Sequence, residues 1–490
     1  MWPFGVKRSW RHGHELLKLS KYDAFHVSDA YEGTLILGAT GSGKSTGSGE
    51  SLALSFLRAG FGGLVLTAKP DEPKIWERYC RKIGRTRDLR IFSPRNEWRF
   101  NFLDAELNRP GEGAGLTENL LHLFTEVLQV AERNAKRNGG DDEYWRLAKQ
   151  QLCRNAIDLL VLAKGTVSVP DLYRIVTSAP KSAKQADSDH WKQSSFCFEC
   201  LCEADERCRE EDRIRDDFGI VADYFLLEFS SLASKTRSIV VSSFTSMIDV
   251  LNRGVLAEMF CTTTNLSPSD TESGAIIVID LPVKEFRQVG VFGQVLWKTA
   301  FQRSMERRSL RSSPRPVFLW ADEAQYFVTS PNDMEFQSTC RAFGVATVLL
   351  SQNVNNFYAA LGGGDRGKAE TDSIFGNLNT KIFHANACPV TNEWAASLIG
   401  RSRQFLMSSS NSDAMREADW FSSLMGWQGT QGGSSLTEHI DFEVQPRAFT
   451  TLRRGGRANG RQVEGIVFQG GRQFRATGKT WLPVTFHQSR

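Results

Sequence analysis

The sequence lacks any long apolar run and any secretory signal. A membrane-spanning helix needs roughly 20 consecutive apolar residues. The longest apolar-leaning stretch, residues 52–68, is interrupted by Arg58 and by a glycine-rich break at residues 60–63. Residues 1–8 include two basic side chains but lack the apolar core of a signal peptide. We therefore expect no integral membrane segment in this chain and a cytoplasmic location.

The sequence also has no internal repeat, no constellation typical of a nuclease and no module that reads DNA bases. Its net charge is only +4, which neither favours nor excludes nucleic acid as a partner. Nine cysteines in a chain of this kind are more typical of reduced thiols than of a disulfide framework. Four of them lie close together, and either a zinc site or ordinary helix thiols would explain them. They are Cys197, Cys200, Cys202 and Cys208.

The composition is that of a folded protein with two or three domains. The chain has 490 residues, of which 41% are hydrophobic and 24% charged, and it includes 32 Phe and 12 Trp. Short apolar runs bounded by turn residues alternate with helical patterns, which predicts an α/β fold with a mostly parallel central sheet. The predicted strands are residues 34–37, 64–67, 89–92, 275–281, 316–321, 345–350 and 380–384.

The pattern changes between the third and fourth predicted strands. Residues from about 108 to 230 show helical periodicity and few strand signals, as expected for an inserted all-α domain. The sequence after residue 405 is rich in Ser, Gly and Arg. We therefore predict four parts: a lead-in over 1–32, an α/β nucleotide-binding domain over 33–107 and 231–405, an all-α insertion over 108–230, and a C-terminal segment over 406–490 with edge strands and a flexible tail.

A glycine-rich loop follows the first strand and precedes a helix. Residues 38–45 have the spacing G-x4-G-K-S, in which glycines let backbone N–H groups curl around phosphates. The N-terminus of the following helix adds its positive dipole end. We expect Lys44 to reach the β- and γ-phosphates of ATP and act in catalysis, and the Ser45 hydroxyl to bind Mg²⁺. The predicted nucleotide-binding residues are Thr40, Gly41, Ser42, Gly43, Lys44, Ser45 and Thr46.

Two further strands end in polar residues that would complete such a site. Asp322 and Glu323 directly follow the strand at 316–321, and ligands of parallel sheets bind beside the carboxyl ends of the strands. We expect Asp322 to hold Mg²⁺ through water and Glu323 to polarise the attacking water as general base. Gln352 follows the strand at 345–350, where it would either contact the γ-phosphate or the water, as a catalytic residue, or cap the loop.

These motifs and their order resemble the type IV secretion coupling proteins, the TraD/TraG class of conjugative DNA-transfer ATPases within the HerA/FtsK group of P-loop motors. The resemblance runs from about residue 33 to 400 and covers much more than the glycine-rich loop. It rests on residues 38–46, Lys69-Pro70-Asp71, Asn101-Phe102-Leu103-Asp104, Trp145, Lys235-Thr236-Arg237-Ser238-Ile239, Ala321-Asp322-Glu323-Ala324, Arg341-Ala342-Phe343-Gly344-Val345 and Ser351-Gln352-Asn353.

The resemblance implies a RecA-like nucleotide-binding domain interrupted by an all-α domain, with ATP and Mg²⁺ as cofactors. It also implies a hexameric ring that moves DNA, or protein linked to DNA, through its centre, with ATP between subunits. Arg341, by its position in the motif, would enter the neighbouring site and stabilise the transition state; a surface ion pair is the alternative. The chain departs from the pattern in two places. Thr67 stands where an Asp is usual, and about 30 residues without a transmembrane helix precede the first strand.

The function indicated is an oligomeric, ATP-hydrolysing DNA translocase. Its candidate partners are DNA, contacted mainly at the backbone, and a relaxase or other secretion components that would hold it at the periphery of the inner membrane. Two alternatives stay open: a substrate receptor or adaptor for protein secretion, and a motor subunit of a mobile-element or defence system that works with a nuclease or relaxase. Two arginine clusters would contact DNA phosphates or form solvated surfaces; they are Arg303, Arg307, Arg308, Arg311 and Arg315, and Arg453, Arg454, Arg457 and Arg461.

Overall fold

The computed structural model describes residues 10–133, 143–210, 215–410 and 433–489. Its strands are β1 (Glu15–Lys18), β2 (Ala24–His26), β3 (Thr34–Leu37), β4 (Gly62–Leu66), β5 (Leu89–Phe92), β6 (Ile276–Ile279), β7 (Val317–Ala321), β8 (Val345–Ser351), β9 (Thr380–Phe383), β10 (Arg401–Ser410), β11 (Gly433–Phe442), β12 (Gln462–Gln469) and β13 (Trp481–His487).

The α-helices lie between these strands, and shorter 3-10 and π-helical turns connect some of them. The helices are α1 (Val27–Tyr31), α2 (Glu50–Ala59), α3 (Glu72–Ile83), α4 (Phe102–Leu107), α5 (Thr117–Arg133), α6 (Glu143–Lys164), α7 (Val169–Ser178), α8 (Ala183–Ala186), α9 (Asp189–Ser194), α10 (Phe196–Glu210), α11 (Arg215–Asp223), α12 (Ser234–Ile248), α13 (Gly254–Phe260), α14 (Val283–Arg307), α15 (Asn332–Thr339), α16 (Val354–Ala360), α17 (Gly364–Gly376), α18 (Pro389–Ile399) and α19 (Ala448–Thr451).

The central sheet has nine strands within the described residues, in the order β13-β12-β9-β3-β8-β7-β4-β6-β5. All neighbours from β9 to β5 pair in parallel, and only β12 and β13 run antiparallel to their neighbours. Strands β3 and β8 are buried along their whole length, as expected for strands covered on both faces. The prediction of a mostly parallel α/β sheet with an all-α insertion is confirmed.

Two hydrophobic clusters cover the two faces of the sheet. On one face, helices α2 and α3 contribute Phe56 and Trp76, whose rings stack on Phe318 of β7. On the other face, α14 contributes Trp297 and Phe301, which join the cluster that continues into the inserted helices. Because both faces are apolar and closed, the carboxyl edge of the sheet is the part of this core where polar side chains can gather.

The helices from α4 to α13 occupy the chain between β5 and β6. Helices α12 and α13 continue the helical pattern beyond residue 230, so the boundaries 108 and 230 stay a prediction. No single helix in the described ranges combines the length and the apolar character of a membrane span; only α12 with its following turn, taken together with α13 across a bend of 79°, meets that test. The four cysteines of α10 form no disulfide bond, and the described residues contain no group of three or more His, Cys, Asp and Glu side chains placed to hold a metal ion.

Part of the segment after residue 405 joins the central sheet. Strands β12 and β13 form an antiparallel pair that extends the central sheet beyond β9. Burial alternates along β13, and Pro483 lies within it, which an edge strand tolerates because one side needs no hydrogen-bond donors. Val463 of β12 and Phe486 of β13 are register partners in this pair, and both side chains are packed in the core.

Candidate functional site

The glycine-rich loop leaves β3 at the centre of the sheet and turns into a short π-helical turn, Ser45–Gly49, which continues as α2. Gly41 and Gly43 have φ angles of 73° and 86°, a left-handed conformation that favours glycine. The Gly47 N–H donates to the Gly43 carbonyl at 2.7 Å and the Gly49 N–H to the Lys44 carbonyl at 2.9 Å. The first N–H groups of the turn therefore remain available for an anion.

The acidic pair lies beside this loop. Strand β7 is separated from β3 only by β8, and Asp322 and Glu323 leave its carboxyl end. The Ser45 hydroxyl donates to Asp322 Oδ2 at 2.9 Å, and Lys44 Nζ lies 3.8 Å from Glu323 Oε1. Residues 277 positions apart in sequence are therefore in direct contact, as the motifs predicted.

Glu323 is held in an unusual conformation at the centre of this site. Its φ of 51° is rare for a residue with a side chain, and such strain is concentrated at functional sites. Gln325 Nε2 donates to Glu323 Oε2 at 3.0 Å, and Gln352 Nε2 lies 3.4 Å from Oε1. Burial alone would raise the pKa of Glu323, but the hydrogen bond from Gln325 and the ammonium groups of Lys44 and Lys69 lower it. The carboxylate is thus ionised and oriented.

Two residues of this site had no role in the sequence-based prediction, Lys69 after β4 and Glu72 at the start of α3. Lys69 Nζ lies 3.5 Å from Asp322 Oδ2, 3.6 Å from Glu323 Oε1 and 3.9 Å from Glu72 Oε1. Burial and the charge of Asp322 raise the pKa of Glu72 to about 8. The signal was available, because Lys69 follows a parallel strand of the same sheet, as Asp322 does.

Arg341 lies at the opposite edge of the sheet from this cluster. It is in the turn before β8, whose seven residues span about 20 Å to the edge where Gln352 stands. Arg341 Nη1 is 2.9 Å from Glu32 Oε1, and 63% of its side chain is exposed. Within one chain this guanidinium cannot reach Lys44, and its partner in the structure is Glu32, in a surface ion pair of the kind given as the alternative.

Thr67, the residue that departs from the family pattern, ties the strands together. It is buried at the end of β4, and its hydroxyl donates to the Ile279 carbonyl at 2.6 Å. Its N–H donates to Gln294 Oε1 at 2.5 Å, and Gln294 Nε2 returns a bond to the Thr67 carbonyl at 2.6 Å. Thr67 therefore has a structural role between β4, β6 and α14.

The first arginine cluster is mostly engaged inside the chain. Four of its five members have intramolecular partners for their guanidinium groups, although the Arg307 side chain remains 33% exposed. Arg308 is buried against backbone carbonyls, and Arg303 and Arg307 pair with carboxylates of the inserted helices. The partners are Glu126 for Arg303, Glu106 for Arg307, the carbonyls of Phe343 and Gly344 for Arg308, and that of Gly60 for Arg315.

The site suits a nucleoside triphosphate with a magnesium ion. The Ser45 hydroxyl and the Asp322 carboxylate are the hard oxygen ligands that Mg²⁺ prefers. The Ser42 hydroxyl in the loop is buried and has no hydrogen-bond partner among the described residues, so this loop retains an unused polar group. Fold and site together define a P-loop NTPase of the RecA-like type with an all-α insertion.

Comparison with known proteins narrows this class. Residues 230–427 match the profile described as the type IV secretion-system coupling protein DNA-binding domain. The bacterial conjugative coupling protein TrwB, in its unbound monoclinic form, is similar at 13% identity, with a TM-score of 0.60 and coverage of 98% of this chain and 90% of that one. The plasmid coupling protein TrwB in complex with ADP and Mg²⁺ is 15% identical, with a TM-score of 0.57 and coverage of 99% of this chain and 92% of that one. VirB4 of Thermoanaerobacter pseudethanolicus is 13% identical, with a TM-score of 0.52 and coverage of 98% of this chain and 96% of that one.

A search of curated proteins found no match. The predicted resemblance to the type IV secretion coupling proteins is confirmed by the matched region and by the shared fold. At identities of 13–15% the solved structures support the fold, and the activity must be argued from the site itself.

Proposed function

We propose that this chain binds MgATP at the carboxyl edge of its sheet, hydrolyses it, and uses the energy as an oligomeric motor to move DNA. The single observation that carries the proposal is the contact between the glycine-rich loop and the acidic pair, through Ser45 and Asp322 at 2.9 Å and Lys44 and Glu323 at 3.8 Å. Further support comes from TrwB, whose similar fold has been seen in complex with ADP and Mg²⁺.

Each residue then has a role that follows from its position. The loop backbone and Lys44 bind the phosphates, while Ser45 and Asp322 would hold Mg²⁺, which when bound offsets phosphate charge. Glu323 accepts a proton from the attacking water, because its lowered pKa keeps it ionised at neutral pH. Gln352, 3.4 Å from that carboxylate, helps to orient it.

The position of Arg341 supports an oligomeric arrangement. Its guanidinium lies at the edge of the sheet opposite its own phosphate loop, and most of it is exposed. In a ring, that edge of one copy would face the nucleotide of the next, and Arg341 would exchange Glu32 for the transferred phosphoryl group. The number of subunits proposed, six, rests on the family resemblance alone.

The DNA substrate is proposed from the matched region, residues 230–427, whose profile is described as a DNA-binding domain. Backbone contacts without base readout are expected, so affinity should fall steeply with salt concentration. A relaxase or another secretion component would supply the substrate, because a motor alone does not nick or select DNA.

The experiment is an ATPase assay of the purified chain with and without DNA, using Lys44→Ala and Glu323→Gln. Both variants should lose hydrolysis by a factor of about a hundred or more, since each removes a group that acts on the transition state. Glu323→Gln should still bind ATP. Glu335→Gln, which changes an exposed carboxyl on α15, is the matched control and should keep full activity. Hydrolysis unchanged in Glu323→Gln would contradict the assigned chemistry, and no stimulation of the assembled protein by any DNA would contradict translocation.

A further inference from the structure

The strand order gives a bound nucleotide a direction. Starting from the loop after β3, strands β8 and β7 lie on one side and strands β9, β12 and β13 on the other. The acidic pair at the end of β7 fixes the place of the terminal phosphate and its metal. The α-phosphate and the nucleoside must therefore lie toward the side of β12 and β13.

Strand β12 begins, and strand β13 ends, at this same edge, because both run antiparallel to β9 or to each other. The Val463 side chain of β12 packs directly on the loop: a Cβ at Gly43 would lie 2.6 Å from Val463 Cγ2, and one at Gly47 3.0 Å from Val463 Cβ. His384 at the end of β9 links the same elements, with Nε2 2.7 Å from Ser48 Oγ and Nδ1 2.8 Å from the Glu464 carbonyl.

Gln488, just after β13, connects this edge to the loop through its side-chain amide. Its Nε2 donates to Thr46 Oγ1 at 2.6 Å, and its Oε1 accepts from the Gly456 N–H at 2.8 Å. Its backbone N–H donates to the Arg461 carbonyl at 3.0 Å. Gln488 therefore connects the predicted nucleotide-binding residue Thr46 to residues 453–461, which we call the arginine loop.

The arginine loop carries guanidinium groups that the described part of the chain does not satisfy. Arg461 has a left-handed φ of 59°, and its Nη1 is buried with no hydrogen-bond partner there. Arg454, exposed, makes no side-chain hydrogen bond or ion pair to the described residues, and its carbonyl lies 3.1 Å from a Cβ built at Gly43. Arg453, by contrast, is already engaged by Glu464 at 2.8 Å and Gln462 at 2.7 Å.

A buried guanidinium nitrogen without an acceptor costs free energy, which an anionic ligand would recover. We propose that the arginine loop and Gln488 form the subsite for the nucleoside end of ATP, in which Arg461 binds the α-phosphate and Arg454 supports it. This inference rests on the proposed MgATP site and assigns the part of that site which the glycine-rich loop and the acidic pair leave open.

The test is calorimetric titration of the full chain with ADP and with a nonhydrolysable ATP analogue. Arg461→Asn is the main variant, because Asn tolerates the left-handed backbone but removes the charge. Arg454→Ala, at an exposed position, guards against a folding defect in the first variant. Arg453→Ala is the matched control on the same loop, and Lys44→Ala reports on the phosphate loop.

We expect Arg461→Asn to weaken ADP and the ATP analogue by the same factor, about tenfold or more, since a charged hydrogen bond to the α-phosphate serves both ligands. Arg454→Ala should lower both affinities by a smaller common factor, and Arg453→Ala should change neither. A loss confined to the ATP analogue would place the guanidinium at the terminal phosphate and overturn the proposal. Unchanged nucleotide affinities in Arg461→Asn and Arg454→Ala would also overturn the proposal, whether or not these variants lose DNA binding. This outcome counts when the wild-type chain binds the nucleotides and Lys44→Ala does not. Wild type that binds neither nucleotide would overturn the proposed function first.

Discussion

Replacing Gly43 with alanine should destabilise the folded chain much more than replacing Gly41, although the two residues stand two positions apart in the same loop. Both have left-handed backbones, with φ of 86° and 73°. They differ in surroundings: a Cβ at Gly43 would lie 2.6 and 2.9 Å from the Val463 methyl groups and 3.1 Å from the Arg454 carbonyl, whereas one at Gly41 would meet nothing within 4 Å.

The expected magnitudes follow from these contacts. A left-handed backbone costs an alanine about 1–2 kcal/mol, and this term is common to both variants. Gly43→Ala adds the cost of overpacking, about 1–3 kcal/mol, because Val463 is fully buried and cannot swing away. We therefore expect a loss in free energy of unfolding of about 2–5 kcal/mol for Gly43→Ala, against about 1–2 kcal/mol for Gly41→Ala.

Denaturant unfolding without nucleotide is the appropriate assay, because nucleotide affinity would respond to any change in the loop. The double variant Gly43→Ala with Val463→Ala completes the test by making room for the new methyl group. It should be less destabilised than the sum of its single variants by about 1–3 kcal/mol. Equal losses for the two glycine variants, or strict additivity in the double variant, would refute the packing of β12 on the loop.

Two further predictions concern the charges of the site. Lys69→Met should lower stability by about 1 kcal/mol in the absence of Mg²⁺, since Lys69 is partly exposed but balances neighbouring carboxylates. Mg²⁺ should restore the melting temperature of this variant. Lys74→Met, an exposed position on the following helix α3, should have no effect, and an equal response of the two variants would exclude this role for Lys69. Burial lowers the pKa of His384 from 6.5 to about 4, so unfolding, which lets the imidazole take up a proton, becomes easier as pH falls through that window. We expect a loss of about 2.5 kcal/mol from this group between pH 8 and pH 4.5, measured by urea unfolding, and a correspondingly smaller pH dependence in His384→Gln.

The core of the candidate site could be predicted because its rule is local. A residue that directly follows an apolar strand of a parallel sheet lies at the carboxyl edge, wherever that strand stands in the order. This places Asp322 and Gln352 at one edge without any knowledge of which strands are neighbours, and the glycine-rich loop after β3 brings Ser45 to the same edge. A similar argument applied to Lys69 would have predicted the cation between the carboxylates, but the motif Lys69-Pro70-Asp71 served only as part of the family resemblance, and Lys69 was given no role in the site.

The contribution of β12 and β13 could not be predicted in this way. The arginine loop precedes β12, which is antiparallel to β9, so the rule about carboxyl ends does not identify it. The rule places Gln488 at this edge only once β13 is known to run in the same direction as β9. Burial alternates along β13, and this pattern does indicate an edge strand. It does not indicate the partner strand, because the pairing of β12 with β9 brings together residues 83 to 89 positions apart.

Arginine clusters illustrate a further limit of composition. The first cluster and the arginine loop look alike as sequence, since both are dense in basic residues. Arg303 and Arg307 already have partners because α5 and α4 bring Glu126 and Glu106 to them. A cluster of basic residues therefore predicts an anionic ligand only when its arginines have no acceptors within the chain. Those acceptors become known only from the fold.

The charge balance of the free site explains why arginines from outside it are needed. Lys44 and Lys69 face Asp322 and Glu323, while the raised pKa of Glu72 lets that carboxyl keep its proton at neutral pH. The cluster is thus close to neutral before ligand arrives, and MgATP brings a net charge of about −2 into it. Positive charge must then come from groups that the resting cluster does not use. In the assembly proposed above, the arginine loop would supply such groups on the nucleoside side, and Arg341 of a neighbouring copy would supply one on the terminal side. Full compensation of the ligand's charge, and with it fast hydrolysis, would then depend on assembly.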